Sequence, residues 1–288
     1  MERSIYDSAS ICFCWHRNYR FKLTPMRIGI MAAMQEEIET LLKELPPDAE
    51  VVDDGRRTYH LGCLWNMPVV VVFSRWGKVA AATTATHLIS DFGIDEILFT
   101  GVAGAAQPGL KVGDVIVAAR LWQHDMDARP LFARHEIPLL GCSSFASNEK
   151  RRNQLIQVAA AFLRDDLRTA TSEATRAAFH LQAPKAVEGD IASGDKFFAD
   201  RADLSALLLR LPTIAAVDME SAAVAQVCYE YSVPFAVLRT ISDDADESAV
   251  HDFPRFLTQV ASAYSHGILK RLFETTIDEA NGPISGPS

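Results

Sequence analysis

Residues 239–248 read RTISDDADES and follow the apolar run VPFAVLR, so Asp243, Asp244, Asp246 and Glu247 crowd together just past a strand-like segment. Carboxylates so placed bind a cation, handle protons or stay in water. A calcium loop needs oxygen ligands at positions one, three and five, Gly at six and Glu at twelve. Counted from Asp244, position six is Ala249 and position twelve is Arg255, so the template fails. The histidines stand in neither HExxH nor Cys/His spacing, and no metal site is expected.

Other carboxylates share the setting. Glu36 and Glu37 follow RIGIMAAM, Asp195 follows DIASG, and Asp218 and Glu220 follow IAAV. Each has a structural reading. An acid in the first turn of a helix, as at Glu37 or Glu220, is favoured by the helix dipole. Asp218 suits an N-cap, and Asp243 can close a turn. Together they are less ordinary, because they end separate strands. In open α/β sheets ligands bind beyond the carboxyl ends of the strands, so these ends are expected to converge. Phosphate motifs are absent. TGVAGAAQPG is neither GxGxxG nor GxxxxGK[ST], and Val72 stands where a P-loop before Gly77-Lys78 would need glycine. TGVAGAA reads as a tight turn or as a small-residue wall for a flat ligand, with close helix packing at Gly104. No GxSxG supports a serine nucleophile.

The elements that must position these residues alternate. RIGIMAAM, PVVVVF (68–73), DEILFTG, VGDVIVA, TIAAV and PFAVLRT read as strands. QEEIETLLKEL, GKVAAATTATHLISDFG, 148–163, 199–210, MESAAVAQVCYEY and 253–273 read as helices, the last with Phe256, Val260, Tyr264 and Ile268 every four residues. Alternation of this kind predicts a single α/β domain with a central mixed sheet flanked by helices. The near-continuous Val/Ile/Leu strands predict burial on both faces. Residues 1–25 read as a loosely ordered extension, or as a start site placed too early, with Met26 opening the first strand. The domain is expected over 26–275 and a flexible tail over 276–288.

Composition removes several function classes. A net charge of -9 argues against binding nucleic acid. No apolar run approaches the ~20 residues of a membrane span. Five cysteines without a CxxC pair suggest neither a disulfide framework nor zinc, and a reducing cytoplasm is expected.

The ordered segments RIGIMAAMQEEI, GKVAAATTAT, TGVAGAA, LKVGDVIV, ASGDKF, VDMESAAVAQVC and VPFAVLRTISDDAD resemble the 5′-methylthioadenosine/S-adenosylhomocysteine nucleosidases of the purine nucleoside phosphorylase superfamily, over roughly residues 26–273. The resemblance implies a nucleoside phosphorylase-like fold, a homodimer, no cofactor, and release of adenine by hydrolysis in methionine salvage. It places the acid for the leaving purine on Asp243 and the glutamate that activates water on Glu37. It places the ribose ligand on Glu220 beside Met219, the stacking ring on Phe197, and a backbone contact to the purine edge on Phe198. Ser242 and Arg239 are expected to orient the Asp243 loop, and Phe253 to line the pocket for the 5′ group. Val102 stands where the family commonly has Ser, Trp76 where a smaller aliphatic is usual, and Asp218 where Glu is common. The chemistry suits these types. An N-glycosidic bond breaks most easily when the purine leaves neutral and water attacks C1′, which asks for an acid and a base. A free Asp ionises near pH ~3.9, so burial or the charges of Asp244 and Asp246 must raise Asp243.

Two alternatives stand beside this reading. A phosphorylase of the same fold needs cations near the first strand–helix turn, yet that turn is AMQEEI, and Arg75 is the nearest basic candidate elsewhere. A non-catalytic nucleoside-binding protein would have lost Glu37 or Asp243, and both are present.

Overall fold

The apolar runs are continuous because each strand serves two cores. In the run 68–73, Val69 and Val71 point into one cluster while Val70 and Val72 point into the other. Val115 and Val117 alternate with Ile116 and Ala118 in the same way. Side chains of a strand alternate between faces, so a strand covered on both sides shows no polar phase.

The computed structural model describes residues 26–246 and 249–281. Its strands are β1 (Ile28–Ala32), β2 (Glu50–Asp54), β3 (Arg57–Leu64), β4 (Met67–Phe73), β5 (Glu96–Phe99), β6 (Val102–Ala105), β7 (Val115–Gln123), β8 (Ser144–Ala146), β9 (Ala186–Ser193), β10 (Ile214–Asp218) and β11 (Phe235–Asp243). Its helices are α1 (Glu39–Glu44), α2 (Lys78–Ser90), α3 (Glu149–Ala161), α4 (Leu167–Ala170), α5 (Glu173–Ala178), α6 (Arg201–Leu208), α7 (Ser221–Tyr231), α8 (Ala249–Phe256) and α9 (Ser262–Asn281). The strands form one mixed sheet in the order β2-β3-β4-β1-β5-β11-β6-β10-β9-β7-β8. A further antiparallel pairing of β7 with β11 closes β11, β6, β10, β9 and β7 into a ring. Helices α3 and α9 cover one face, and α2 and α7 the other. The expected α/β fold with a central mixed sheet is thus the observed one.

Several local expectations need correction. QEEIETLLKEL is a 3₁₀ turn over Gln35–Glu37 followed by α1, because the Glu37 side chain turns inward instead of facing water. GVAGAA is not a turn throughout, since Val102–Ala105 forms β6 between β11 and β10. The strands β2 and β3 were not expected; β2 is mostly exposed and polar. Their signal was Asp54-Gly55. The two-residue loop Gly55-Arg56 has positive φ at both positions, as hairpin turns require, and Trp65-Asn66 repeats the device before β4. The closing helix starts at Ala249, and a π-turn over Leu257–Ala261 joins α8 to α9. Its apolar period of four explains that turn. A step of four overshoots an α-helix by about 40°, and the wider π-turn absorbs drift while Phe256, Val260, Tyr264 and Ile268 all stay buried. Helix α9 continues to Asn281, beyond residue 275 where the tail was expected to begin. The expectations for residues 1–25, 282–288 and Glu247 lie outside the described residues.

The crossing of α9 over the π-turn at 162–166 depends on Gly267, where an added Cβ would lie 2.2 Å from the ring of buried Phe162. Alanine improves helix propensity by about 1 kcal/mol, while overpacking costs about 1–3 kcal/mol. Overpacking wins, because the ring has no solvent to move into. Gly267→Ala is expected to lower stability by about 1–2 kcal/mol, read as a lower urea midpoint at unchanged slope.

Candidate active site

A cleft lies beyond the carboxyl ends of β1, β10 and β11. The structure brings together in its lining Glu37, Val102, Phe197, Phe198, Met219, Glu220, Arg239, Ser242, Asp243 and Phe253. Trp76 and Asp218 line it too, whereas Asp195 does not. Glu36 is exposed.

Glu37 is 1% exposed, and three backbone N–H groups hold its carboxylate. Those of Ala33 and Met34 donate to Oε2 at 2.8 and 2.9 Å, and that of Val102 donates to Oε1 at 2.9 Å. Gly101 makes room for it. A Cβ there would sit 2.4 Å from Oε1, and its φ of +148° lies where side chains are strained. Asp243 is held at the other strand end. Ser242 Oγ donates to Oδ2 at 2.7 Å and the N–H of Ala245 to Oδ1 at 2.9 Å. Gly104 pairs with Asp243 across β6 and β11, and a Cβ on it would lie 3.0 Å from Oδ1. The Cβ of Ala245 would be 2.9 Å away, so the smallness of Gly104 serves the Asp243–Ala245 turn, not helix packing. Glu220 Oε1 accepts from the N–H of Gly77 at 2.7 Å.

The expectation that Arg239 orients the Asp243 loop is wrong. Arg239 Nε donates to Asp218 Oδ2 at 2.9 Å, and its guanidinium lies 4.0 Å from the centroid of the Phe99 ring. Ser242 alone of that pair touches Asp243. Asp218 is not the N-cap residue of α7, which is Glu220. Its carboxylate nonetheless accepts the N–H groups of Glu220 and Ser221, so it caps the helix from outside it. Asp246 pairs with Arg201 at 2.7 Å, which fixes the turn after Asp243. Phe197 is partly exposed at the mouth, with its ring against Phe253 at 5.7 Å, and Trp76 meets Phe253 edge-on at 5.8 Å. Phe198 is buried against His124.

The sequence profile of the phosphorylase superfamily matches residues 27–274. The 5′-methylthioadenosine/S-adenosylhomocysteine nucleosidase of Colwellia psychrerythraea is 35% identical over 250 residues, covering 86% of this chain and 96% of that protein. The chain belongs to this nucleosidase family of the phosphorylase superfamily. The aminodeoxyfutalosine nucleosidase of Helicobacter pylori is 36% identical over 236 residues, covering 82% of this chain and 93% of its own. Among solved structures, the Neisseria meningitidis nucleosidase in complex with methylthio-immucillin-A superposes with a TM-score of 0.76 at 28% identity, covering 86% of this chain and 99% of that one. The Colwellia nucleosidase in complex with adenine gives 0.74 at 32%, covering 87% and 95%.

The electrostatics of this family member follow from four buried carboxyls, of which Glu37, Asp218 and Glu220 share Arg239 and Asp243 does not. Burial pushes Glu37 above its ordinary range, against the pull of Arg239 and the three N–H groups. Burial also raises Asp243; Ser242 and the Ala245 N–H oppose it, and Asp244 and Asp246 add to it. Glu220 is pushed up to about 8, by burial first and then by Asp218, against Gly77 and Arg239. Away from the cleft, Asp54, His87 and Asp91 bring ligand atoms within 4.8 Å of one another at the surface, a group with the donor types for a cation.

A raised carboxyl has a fixed consequence for stability. Its folded pKa lies above the unfolded one, so its contribution is full below pH ~4.3 and is lost as pH rises through the folded value. For Glu220 that window runs up to about 8. Glu220→Gln is expected to remove a loss on the order of a few kcal/mol across it, seen as a flatter decline of melting temperature between pH 5 and about 8 than in the parent. An identical pH slope in the two proteins would contradict this account.

Proposed function

We propose that the chain hydrolyses the N-glycosidic bond of 5′-substituted adenosines, such as 5′-methylthioadenosine and S-adenosylhomocysteine, releasing adenine. The observation that carries this reading is the pair of buried carboxyls, Glu37 and Asp243, facing one aromatic-walled cleft on separate strand ends. It is supported by the adenine and immucillin complexes of the similar structures.

The purine lies against Phe197 with its edge toward Phe198, and Asp243 donates a proton to the ring nitrogen as the glycosidic electrons pass to the base. Glu37 holds a water by one carboxylate oxygen. As that water bonds to C1′, its proton passes to Glu37. The ribose hydroxyls donate to Glu220 beside Met219. Both key groups are raised in the useful direction. A raised acid keeps its proton closer to neutral pH, and a raised base accepts one more readily. Ser242 orients the acid, while Arg239 acts on Glu37 and Glu220 through its charge. The 5′ substituent meets Phe253 and Trp76. Val102 contributes its N–H to Glu37 and no hydroxyl to the sugar. No cofactor enters this scheme.

The phosphorylase alternative is weakened by where the cations stand. Arg75 donates to the carbonyl of Arg56 on the outer hairpin and does not line the cleft. Arg239 and Lys196 line it, paired with Asp218 and Asp203. A homodimer is the assembly the family resemblance implies, and sedimentation is expected to give twice the protomer mass. A cytoplasmic place, with the part in methionine salvage that the resemblance implies, is in keeping with Cys142 and Cys228 standing as thiols.

Asp243→Asn is expected to lower adenine release by about 10² or more with circular dichroism unchanged. The parent rate is expected to be equal with and without phosphate. It should fall at low pH as Glu37 is protonated and at high pH as Asp243 ionises. A strict phosphate requirement, or full activity in Asp243→Asn, would sink the assignment.

A further inference from the structure

The loop after β9 holds two rings at the cleft without regular structure of its own. Between Ser193 and Arg201 the backbone is neither strand nor helix, yet Phe197 and Phe198 both face the cleft. Its first residues are fixed by a closed circuit of polar contacts with two other elements. The backbone N–H of Lys78, first residue of α2, donates to Asp195 Oδ1 at 2.8 Å. The N–H of Asp195 donates to Asp125 Oδ2 at 3.0 Å. Asp125 Oδ1 accepts from Lys78 Nζ at 2.6 Å, so the circuit ends where it began. Gln123 Oε1 accepts a second Nζ proton at 3.1 Å.

This is not a loose surface ion pair. The Lys78 and Asp125 side chains are 18% and 32% exposed, and each carboxylate in the circuit also fixes a backbone N–H. Burial alone would raise Asp125, but Lys78 and the Asp195 N–H outweigh it and hold the carboxyl below its ordinary value. The circuit also grips the sugar side of the cleft. Gly77, whose N–H holds Glu220, directly precedes Lys78. Consecutive N–H groups at the start of α2 are therefore held by carboxylates from the two sides of the cleft: Glu220 at the ribose end and Asp195 at the start of the phenylalanine loop.

We propose that Lys78 and Asp125 form a clasp that fixes the Phe197–Phe198 wall relative to Glu220, which makes Asp125 a positioning residue for the nucleoside. The inference rests on reading the cleft as a nucleoside site. None of Lys78, Asp125 and Asp195 lines the cleft, so the clasp touches neither substrate nor reacting atoms. Its effect falls on binding. With the clasp closed the loop is already ordered when the nucleoside arrives; with it open, ordering is charged against affinity.

The test compares Asp125→Ala, Lys78→Met and the double variant with the parent. Steady-state kinetics on 5′-methylthioadenosine and calorimetric titration with adenine, which needs no turnover, are the readouts. Each single variant is expected to raise KM and weaken adenine binding by about tenfold, with kcat within about threefold. The double variant is expected to be no worse than either single one, because both open the same circuit. Asp125→Asn, which keeps an acceptor for the Asp195 N–H but loses the charge, should fall between. Unchanged adenine affinity in the variants, or additive losses in the double variant, overturns the clasp even where thermal stability drops. Parent turnover decides the hydrolase reading separately.

Discussion

Arg239 and Asp218 meet at 2.9 Å with side chains 1% and 3% exposed, and the walls of the cleft are organised around that contact. A buried ion pair is not stabilising by default, since desolvating both charges can exceed their attraction. It persists where every remaining donor and acceptor is satisfied, and here the accounting is nearly complete. Asp218 also accepts from Ser193 Oγ, Ser221 Oγ and the N–H groups of Glu220 and Ser221. Arg239 lies over the Phe99 ring. One pair therefore ties β9, β10, β11 and the start of α7 together, and it sets where Glu220 emerges. Losing one partner would leave a bare charge in the core, which typically costs about 3–5 kcal/mol.

The same pair accounts for the unequal carboxyls around it. Arg239 is half spent on Asp218, so its charge reaches Glu37 and Glu220 only as a partial counterweight to burial. Like charges confined together cannot all ionise. Glu37 gains three N–H donors, Asp243 one N–H and one hydroxyl, and Glu220 a single N–H. One chemical group is thus given three environments, which is how neighbouring carboxyls come to play different parts.

What could be read from the sequence follows the range of the interactions. The core strands were legible, because burial on both faces writes itself into consecutive apolar residues. So were Glu37, Glu220 and Asp243, because strand ends and ordered motifs mark them. The edge hairpin was not, since β2 faces water and lacks the apolar phase, although Asp54-Gly55 signalled its turn. Strand β6 was hidden in small residues: Gly104 answers to Asp243 and Ala245, and Gly101 just before the strand answers to Glu37, rather than to strand propensity. The role of Arg239 was missed because its partner comes from another strand, 21 residues away. Lys78, Asp125 and Asp195 lie 47 and 70 residues apart along the chain, so only the fold brings them together.

Strand β11 shows how the fold aims Asp243. Its first half pairs with β5 in the open part of the sheet, and its second half pairs with β6 and β7 in the closed ring. The pairing with β6 runs Thr240 to Val102 and Ile241 to Ala103, then skips Ser242 so that Asp243 meets Gly104. An extra residue of this kind bends a strand and redirects the side chains after it, and such bulges gather beside active sites. Without the skip, Ser242 would stand opposite Gly104, and Asp243 would point to the other face of the strand. The bulge instead delivers the carboxyl to the one place on β6 with no Cβ, and leaves Ser242 beside it as its hydrogen-bond donor. A quartet of acids that looked like surplus surface charge is therefore divided by one residue of register: Asp243 is turned into the cleft, and Asp246 is paired with Arg201 behind it.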